Sequence, residues 1–283
     1  MLLLVPADVL RPQRVDEHFA PEADAARAVG WEVAVVDHDA LTRADGAEEA
    51  VRRIRSSGVA VYRGWMLRSA EYAAFEQSLR QRGVTLRTSA EQYRRAHELP
   101  GWYSALAEMT PRSVWTSGSG RAAFDHARRE LGTGPVVLRD YTKSMKHYWH
   151  EAAFIPDVAD PDAAWRVASR FRELRGEDLA GGFVLRRFER FQSAEVRTWW
   201  VDGKCRLIGP HPDTPEDMPD VEFDPTSVED AIAALGLLFV TADFALRDDG
   251  AWRLVELGDG QVSDRPHTIP AEQLLAVLRA GSQ

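Results

Sequence analysis

Thr241-Ala242-Asp243-Phe244-Ala245-Leu246-Arg247-Asp248-Asp249-Gly250-Ala251-Trp252-Arg253-Leu254-Val255-Glu256-Leu257-Gly258-Asp259-Gly260 reads as an apolar strand, a tight Asp-Asp-Gly turn and a second apolar strand. Asp243 and Glu256 are embedded in the two strands, and Asp259 follows just past the second. A hairpin sets such groups side by side, and clustered like charges are costly unless a cation sits between them. Hard oxygen ligands suit Mg²⁺, which is held by one or two carboxylates together with substrate phosphates. The competing reading is a surface hairpin with solvated acids.

A second cluster lies upstream, Arg139-Asp140-Tyr141-Thr142-Lys143-Ser144-Met145-Lys146-His147-Tyr148-Trp149-His150, at the end of the strand-like Val136-Val137-Leu138. A nucleotide triphosphate needs several cationic donors near its phosphates. The stretch has no Walker-type glycines, so any phosphate grip comes from side chains. The competing reading is a solvated basic loop. His147 and His150 read as packing or hydrogen-bonding residues. A third cluster, Arg186-Arg187-Phe188-Glu189 followed by Glu195-Val196-Arg197, suits an apolar slot whose backbone meets an adenine edge. Alternation places Glu195, Arg197 and Trp199 on one face, which suggests a cleft; the alternative is an exposed Glu195–Arg197 ion pair.

The chain has 283 residues, 45% of them hydrophobic, a length that suggests about two domains. Its net charge of −9 argues against a nonspecific nucleic-acid or anionic-membrane surface. The single cysteine, Cys205, excludes an internal disulfide and a cysteine zinc cluster, and reads as a packed strand residue. A soluble protein of a reducing cytoplasm is expected. Met1–Pro6 lacks a signal-peptide pattern, and the apolar run from Ala233 to Val240 is far below bilayer length.

The N-terminal part alternates strands (Leu2–Val5, Trp31–Val36, Val59–Tyr62, Val84–Leu86) with helices (Glu22–Val29, Ala47–Ser56, Ser69–Gln81), a pattern that predicts a parallel sheet. No Gly-x-Gly-x-x-Gly follows these strands, so a dinucleotide site has no support. Pro100-Gly101 and Pro111 punctuate the middle. Asp160 is expected to cap a helix with Pro161 at its first position. Asp202-Gly203 is a two-residue hairpin turn, His211–Asp224 a loop, and Ser227–Leu237 and Ala271–Leu278 are helices. The C-terminal half therefore reads as α+β.

Taken in order, these clusters resemble an ATP-grasp enzyme. More narrowly, Val136–His147, Glu195-Val196-Arg197 with Asp202-Gly203-Lys204, and Val255–Ser263 resemble the clade named for two arginines and a lysine; Tyr62–Met66 and His97–Tyr103 also fit it. The resemblance implies an ATP-grasp fold, α/β plus α+β, with a pre-ATP-grasp (Rossmann-like) domain over 1–110. A small subdomain with a phosphate lid would span 111–182 and a large subdomain with the metal site 183–283. It implies ATP bound between the two subdomains, contacted by Arg139, Lys143, Lys146, Arg186, Arg187, Phe188, Glu189 and Glu195. Arg139 falls where most relatives carry lysine, and Lys143 and Lys146 at the lid lysines. Asp243, Glu256 and Asp259 are the implied Mg²⁺ ligands, Asp259 standing in for an asparagine whose usual position is Gly258. Lys146 and Arg197 are assigned the catalytic roles. The implied activity is carbon–nitrogen ligation of a small carboxylate or peptide to an amine acceptor through an acylphosphate, in which phosphoryl transfer is mainly positioning and charge neutralisation. The other activity the resemblance allows is an ATP-binding assembly factor with a protein partner and little turnover.

Overall fold

A computed structural model describes residues 1–280. In chain order the first half carries β1 (Leu2–Pro6), α1 (Ala20–Ala28), β2 (Glu32–Val36), α2 (His38–Leu41), α3 (Ala47–Ala50), β3 (Gly58–Tyr62), α4 (Ser69–Arg80), β4 (Val84–Leu86), α5 (Ala90–His97) and α6 (Leu99–Leu106). Then come β5 (Ser113–Trp115), α7 (Arg121–Leu131), β6 (Val136–Arg139), β7 (Phe154–Ile155), α8 (Pro161–Arg175) and β8 (Val184–Arg187). The chain closes with β9 (Phe191–Val201), β10 (Lys204–Pro210), α9 (Thr226–Ala233), β11 (Phe239–Arg247), β12 (Trp252–Asp259) and α10 (Ala271–Ala280).

These elements form two compact units, each drawn from separate stretches of chain. Among the described residues the first comprises 1–96, 193–245 and 256–280; the second comprises 97–192 and 246–255. In the first unit the expected parallel sheet is present, in the order β2-β1-β3-β4. All five residues of β1 are buried, as a strand covered on both faces requires. Its alternation explains why. Leu2 and Leu4 enter one core with Tyr62, Phe75 and Leu79, while Leu3 and Val5 enter another with Trp199, Phe239 and Leu275. A second sheet, ordered β10-β9-β11-β12, supplies the far side of that second core. The Asp202-Gly203 turn joins β9 to β10 with both residues at positive φ, 50° and 75°, the geometry of a type I′ hairpin.

The second unit is built on an antiparallel sheet, β5-β8-β6-β7. Phe124, Ala127 and Leu131 fall on one face of α7 and join Phe171, Phe183 and Leu185 in its core. Asp160 caps α8 as expected: Oδ1 accepts from the amides of Asp162 (3.1 Å) and Ala163 (3.0 Å), and Pro161 opens the helix.

Three local expectations are corrected. The helix expected over Ala47–Ser56 ends at Ala50, because Val51 and Ile54 turn into the core while Arg52, Arg53 and Arg55 stay exposed. The helix expected over Ser227–Leu237 stops at Ala233, before Gly236 at φ 63°. Pro100-Gly101 does not interrupt the chain; Pro100 lies in the first turn of α6, where its missing N–H costs no hydrogen bond.

Phe183 is fully buried against Phe124 (5.5 Å), Trp165 (6.3 Å) and Phe171 (6.3 Å). Phe183→Ala is expected to cost about 3–5 kcal/mol in urea unfolding of the second unit. A loss below about 1 kcal/mol would mean that this aromatic cluster does not organise the core.

Candidate functional site

In the second unit, β6 delivers Arg139 to its end, where the guanidinium is 5% exposed and Nη2 donates to the Thr142 carbonyl at 2.7 Å. The next residue organises the basic loop. Asp140 is wholly buried, and its Oδ1 accepts from the Thr142 amide (2.8 Å), the Thr142 hydroxyl (3.0 Å) and the Lys143 amide (2.6 Å). Its Oδ2 accepts from Arg175 Nε (2.9 Å) and the Ala180 amide (3.2 Å). A buried carboxylate so fully bonded holds its surroundings in one conformation. The stem of the loop is therefore constructed, whereas Lys146, His147 and His150 are exposed and Lys143 is half-buried.

Residues 186–189 are held more closely than an open binding strand. Arg186 is 6% exposed and donates from Nη1 to the Val255 carbonyl at 2.6 Å. Arg187 donates to the carbonyls of Leu131 and Thr133 at the end of α7. Glu189 accepts from Arg253 Nε (2.9 Å) and Nη2 (3.1 Å), with Arg247 Nη1 at 3.4 Å. Phe188 lies 5.3 Å from the Phe154 ring and 6.2 Å from Trp149, giving a partly exposed aromatic group beside the backbone of 186–189.

The acidic group belongs to the first unit. Arg197 on β9 forks onto Asp243 of β11, Nε to Oδ1 and Nη2 to Oδ2, both at 2.8 Å. Its Nη1 donates to the Asp264 carbonyl at 3.0 Å. Burial opposes the charge of this guanidinium, but Asp243, with Glu256 and Asp264 further out, offsets that and raises its pKa. His211 adds a member that the sequence reading left in a loop. Its Nε2 lies 3.2 Å from Arg197 Nη2 and 3.6 Å from Asp243 Oδ2, and its Nδ1 is 3.1 Å from the Asp213 amide.

Glu195, His211 and Asp243 bring ligand atoms within 4.8 Å of one another, the one such metal-capable grouping among the described residues. Of the expected metal ligands, Asp243 lies in this group and Glu256 is near enough to act on Arg197. Two carboxylates and an imidazole fit a divalent cation, with oxygen as the majority donor as Mg²⁺ prefers. Arg197 bonds to both Asp243 oxygens, so a cation arriving there would share the carboxylate with the guanidinium.

Asp259 has a different setting. It is 1% exposed, its Oδ1 accepts from the Gln261 amide at 2.9 Å, and burial pushes its carboxyl up to about 7 despite that bond and the charge of Arg63. At Gly258, a Cβ would sit 3.3 Å from Ser263 Oγ and 3.4 Å from Thr241 Oγ1, so a hydroxyl pair lines the space where the resemblance implies an asparagine. The expected cleft face also changes character along β9: Arg197 meets acids, but Trp199 is fully buried in apolar core. Cys205 is packed as expected, and burial pushes its thiol up to about 11.

Both carboxylates lend themselves to unfolding measurements. Asp243→Asn leaves a buried guanidinium without its counter-charge and is expected to cost about 3–5 kcal/mol without ligand, read by urea unfolding. An unchanged midpoint would show that the fork contributes nothing to folding. For Asp259, the folded carboxyl titrates near 7 against an ordinary value of 3.8, so the folded state keeps a proton that the unfolded chain has released. Stability from this group is full below pH ~4 and is lost as pH rises to ~7, a change of about 4 kcal/mol. Asp259→Asn should flatten stability between those pH values in metal-free buffer; an unchanged slope would refute the assignment.

The profile of the ATP-grasp domain of the two-arginine, one-lysine clade, family 3, matches residues 130–278. The fold is shared with the RimK domain protein ATP-grasp from Sphaerobacter thermophilus DSM 20745, at 18% identity and TM-score 0.62 over 99% of this chain and 100% of that one. It is shared with the D-cycloserine synthetase DcsG, at 18% identity and TM-score 0.63 over 98% and 99%. It is also shared with the ATP-grasp ligase PsnB, solved with a minimal precursor, Mg and ADP, at 15% identity and TM-score 0.58 over 99% and 98%. No protein of curated function matches the chain in sequence. With the family profile spanning more than half of its length, the chain belongs to the ATP-grasp superfamily, in family 3 of the clade named for two arginines and a lysine.

Proposed function

We propose that the chain is an ATP-dependent ligase joining a carboxylate to an amine through an acylphosphate. The observation that carries this reading is the buried Arg197–Asp243 fork with Glu195, His211 and Glu256 around it. A guanidinium set at a metal-capable grouping offers both signs of charge that phosphoryl transfer needs. Mg²⁺, when bound at Asp243 with Glu195 or Glu256, supplies charge neutralisation for the transferring phosphoryl group.

The chain's own residues do the rest. Arg139, Lys143 and Lys146 offer cationic donors to the phosphates, the stem of their loop held rigid by Asp140. The aromatic group of Phe188, Phe154 and Trp149 offers a stacking face for the adenine. Arg197, held by Asp243 and the Asp264 carbonyl, offers a fixed positive charge to the developing acylphosphate. A substrate carboxylate oxygen attacks the γ-phosphorus, the bond to the ADP oxygen breaks, and ADP leaves. The amine nitrogen then attacks the acyl carbon, phosphate departs, and the amine gives up a proton. No protein nucleophile enters, which agrees with the raised thiol of Cys205.

Wild-type protein with ATP, Mg²⁺ and a matched carboxylate–amine pair should release ADP in proportion to the coupled product. Glu256→Gln and Lys146→Ala should each lower that rate by about 10²–10³-fold. Lys204→Ala should leave it unchanged, because Lys204 pairs with Glu229 at an exposed hairpin end. ATP-Mg binding with no ADP release across a broad screen of amino acids and peptides, alongside a stoichiometric protein complex, would replace the ligase with an assembly factor.

A further inference from the structure

The first unit holds a cavity of about 170 Å³ that the ligase reading leaves without a role. It opens at the carboxyl ends of three parallel strands. Asp8 follows β1, Asp37 and Asp39 follow β2, and Trp65 follows β3. The sheet order β2-β1-β3-β4 means the chain leaves β1 for one neighbour and crosses back to the other. Open α/β sheets bind ligands in the crevice at such a reversal.

The lining sets the chemistry of the occupant. Asp8 Oδ1 accepts from the amides of Leu10 (2.8 Å) and Arg11 (2.9 Å), Asp16 Oδ1 from His18 (2.9 Å), and Asp37 Oδ1 from Ala40 (3.0 Å). Each of the three has its other oxygen left for a ligand, and Asp39 bonds only through its backbone carbonyl among the described residues. The four aspartates outnumber the basic side chains of the lining, Arg43 and His38, and Arg53 close by donates to the Pro12 carbonyl. Arg43 is paired with Glu49 at 3.0 Å, and burial holds His38 below its ordinary pKa despite the surrounding acids. The wall also holds the indole of Trp65, 39% exposed, and the exposed Val9, with Pro6, Ala7 and Pro12. An indole face attracts organic cations.

A bare metal ion does not suit this space. The volume holds on the order of ten waters, and these aspartates do not converge as a metal-capable grouping among the described residues. A chain of contacts inside the same unit also leads from the cavity wall to the candidate site. The Trp65 ring lies 4.6 Å from His18 at a tilt of 37°, His18 Nε2 meets Asp264 Oδ1 at 2.8 Å, and the Asp264 carbonyl holds Arg197.

We propose that this cavity binds the cationic end of an amino substrate, a small molecule bearing an ammonium or guanidinium group such as a basic amino acid or a diamine. Its role as a substrate subsite rests on the ligase reading; the binding itself does not.

Calorimetry on the full chain without nucleotide separates the two. Lysine, arginine and cadaverine should bind at least about tenfold more tightly than norleucine or glutamate, and more weakly as salt rises. Asp39→Asn should weaken cation binding about threefold and the Asp8→Asn/Asp39→Asn pair about tenfold, with ATP-Mg affinity unchanged. Asp39→Asn removes no hydrogen bond, so its fold is kept and it tests the cavity even if the double variant unfolds. Cation binding no tighter than that of norleucine, or undiminished in Asp39→Asn, overturns the proposal even where ADP release persists. Cation binding that follows this pattern in a protein that never releases ADP supports the cavity and removes the ligase reading instead.

Discussion

Arg63 has almost no access to water, and the first unit is assembled around it. The guanidinium is 1% exposed and forks onto Glu22, itself 3% exposed, with Nε to Oε2 at 2.7 Å and Nη2 to Oε1 at 3.0 Å. Its Nη1 reaches the carbonyls of Gly260 (2.7 Å), Ser263 (2.9 Å) and Gln261 (3.0 Å). One buried side chain thus ties α1, the end of β3 and the loop after β12. A charge taken out of water is tolerated only when every donor is matched, so the three segments are bound to a single arrangement. Gln261 extends the tie, accepting from the Tyr62 amide at 3.0 Å and donating to the Tyr72 hydroxyl at 2.6 Å.

That loop in turn holds the acidic group in place. Its Asp264 carbonyl takes one nitrogen of Arg197, and its Ser263 hydroxyl meets Thr241 on β11 at 2.6 Å. Arg197 therefore stands between two kinds of partner. Asp243 compensates its charge, and the Asp264 carbonyl takes a further N–H without adding charge. Removing either partner of this buried pair would leave the other charge uncompensated.

The second unit solves its problem with the opposite sign. Its basic loop would repel itself and wander if it were only a run of cations. Asp140, buried and five times hydrogen-bonded, converts the beginning of that run into a fixed turn and leaves Lys146, His147 and His150 beyond it exposed. Arg187 and Glu189 have comparable duties, the first closing the end of α7 and the second drawing Arg247 and Arg253 together.

Much of this was legible in the chain itself. Buried parallel strands, the Asp160 cap, the Asp202-Gly203 hairpin and the acid-bearing strands all announce themselves by short-range patterns of two to four residues, because those patterns reflect local backbone geometry. The partners of the acids did not. Nothing local says that Arg197 reaches Asp243 rather than Glu195, or that Asp259 lies buried apart from the metal-capable group. His211 shows the limit most clearly. Counting outward from the turn, β9 and β10 pair Val201 with Lys204 and Trp200 with Cys205, but an irregularity between Cys205 and Leu207 then pairs Trp199 with Leu207 and Val196 with Pro210. The extra residue shifts the register by one, and a one-residue shift exchanges the faces of a strand. It brings His211 opposite Glu195, its amide 3.2 Å from the Glu195 carbonyl, and so beside Arg197 and Asp243. The sequence by itself determined which strands carry charge; the tertiary structure decided which charges meet, because register, bulges and burial are set by packing between segments far apart in the chain.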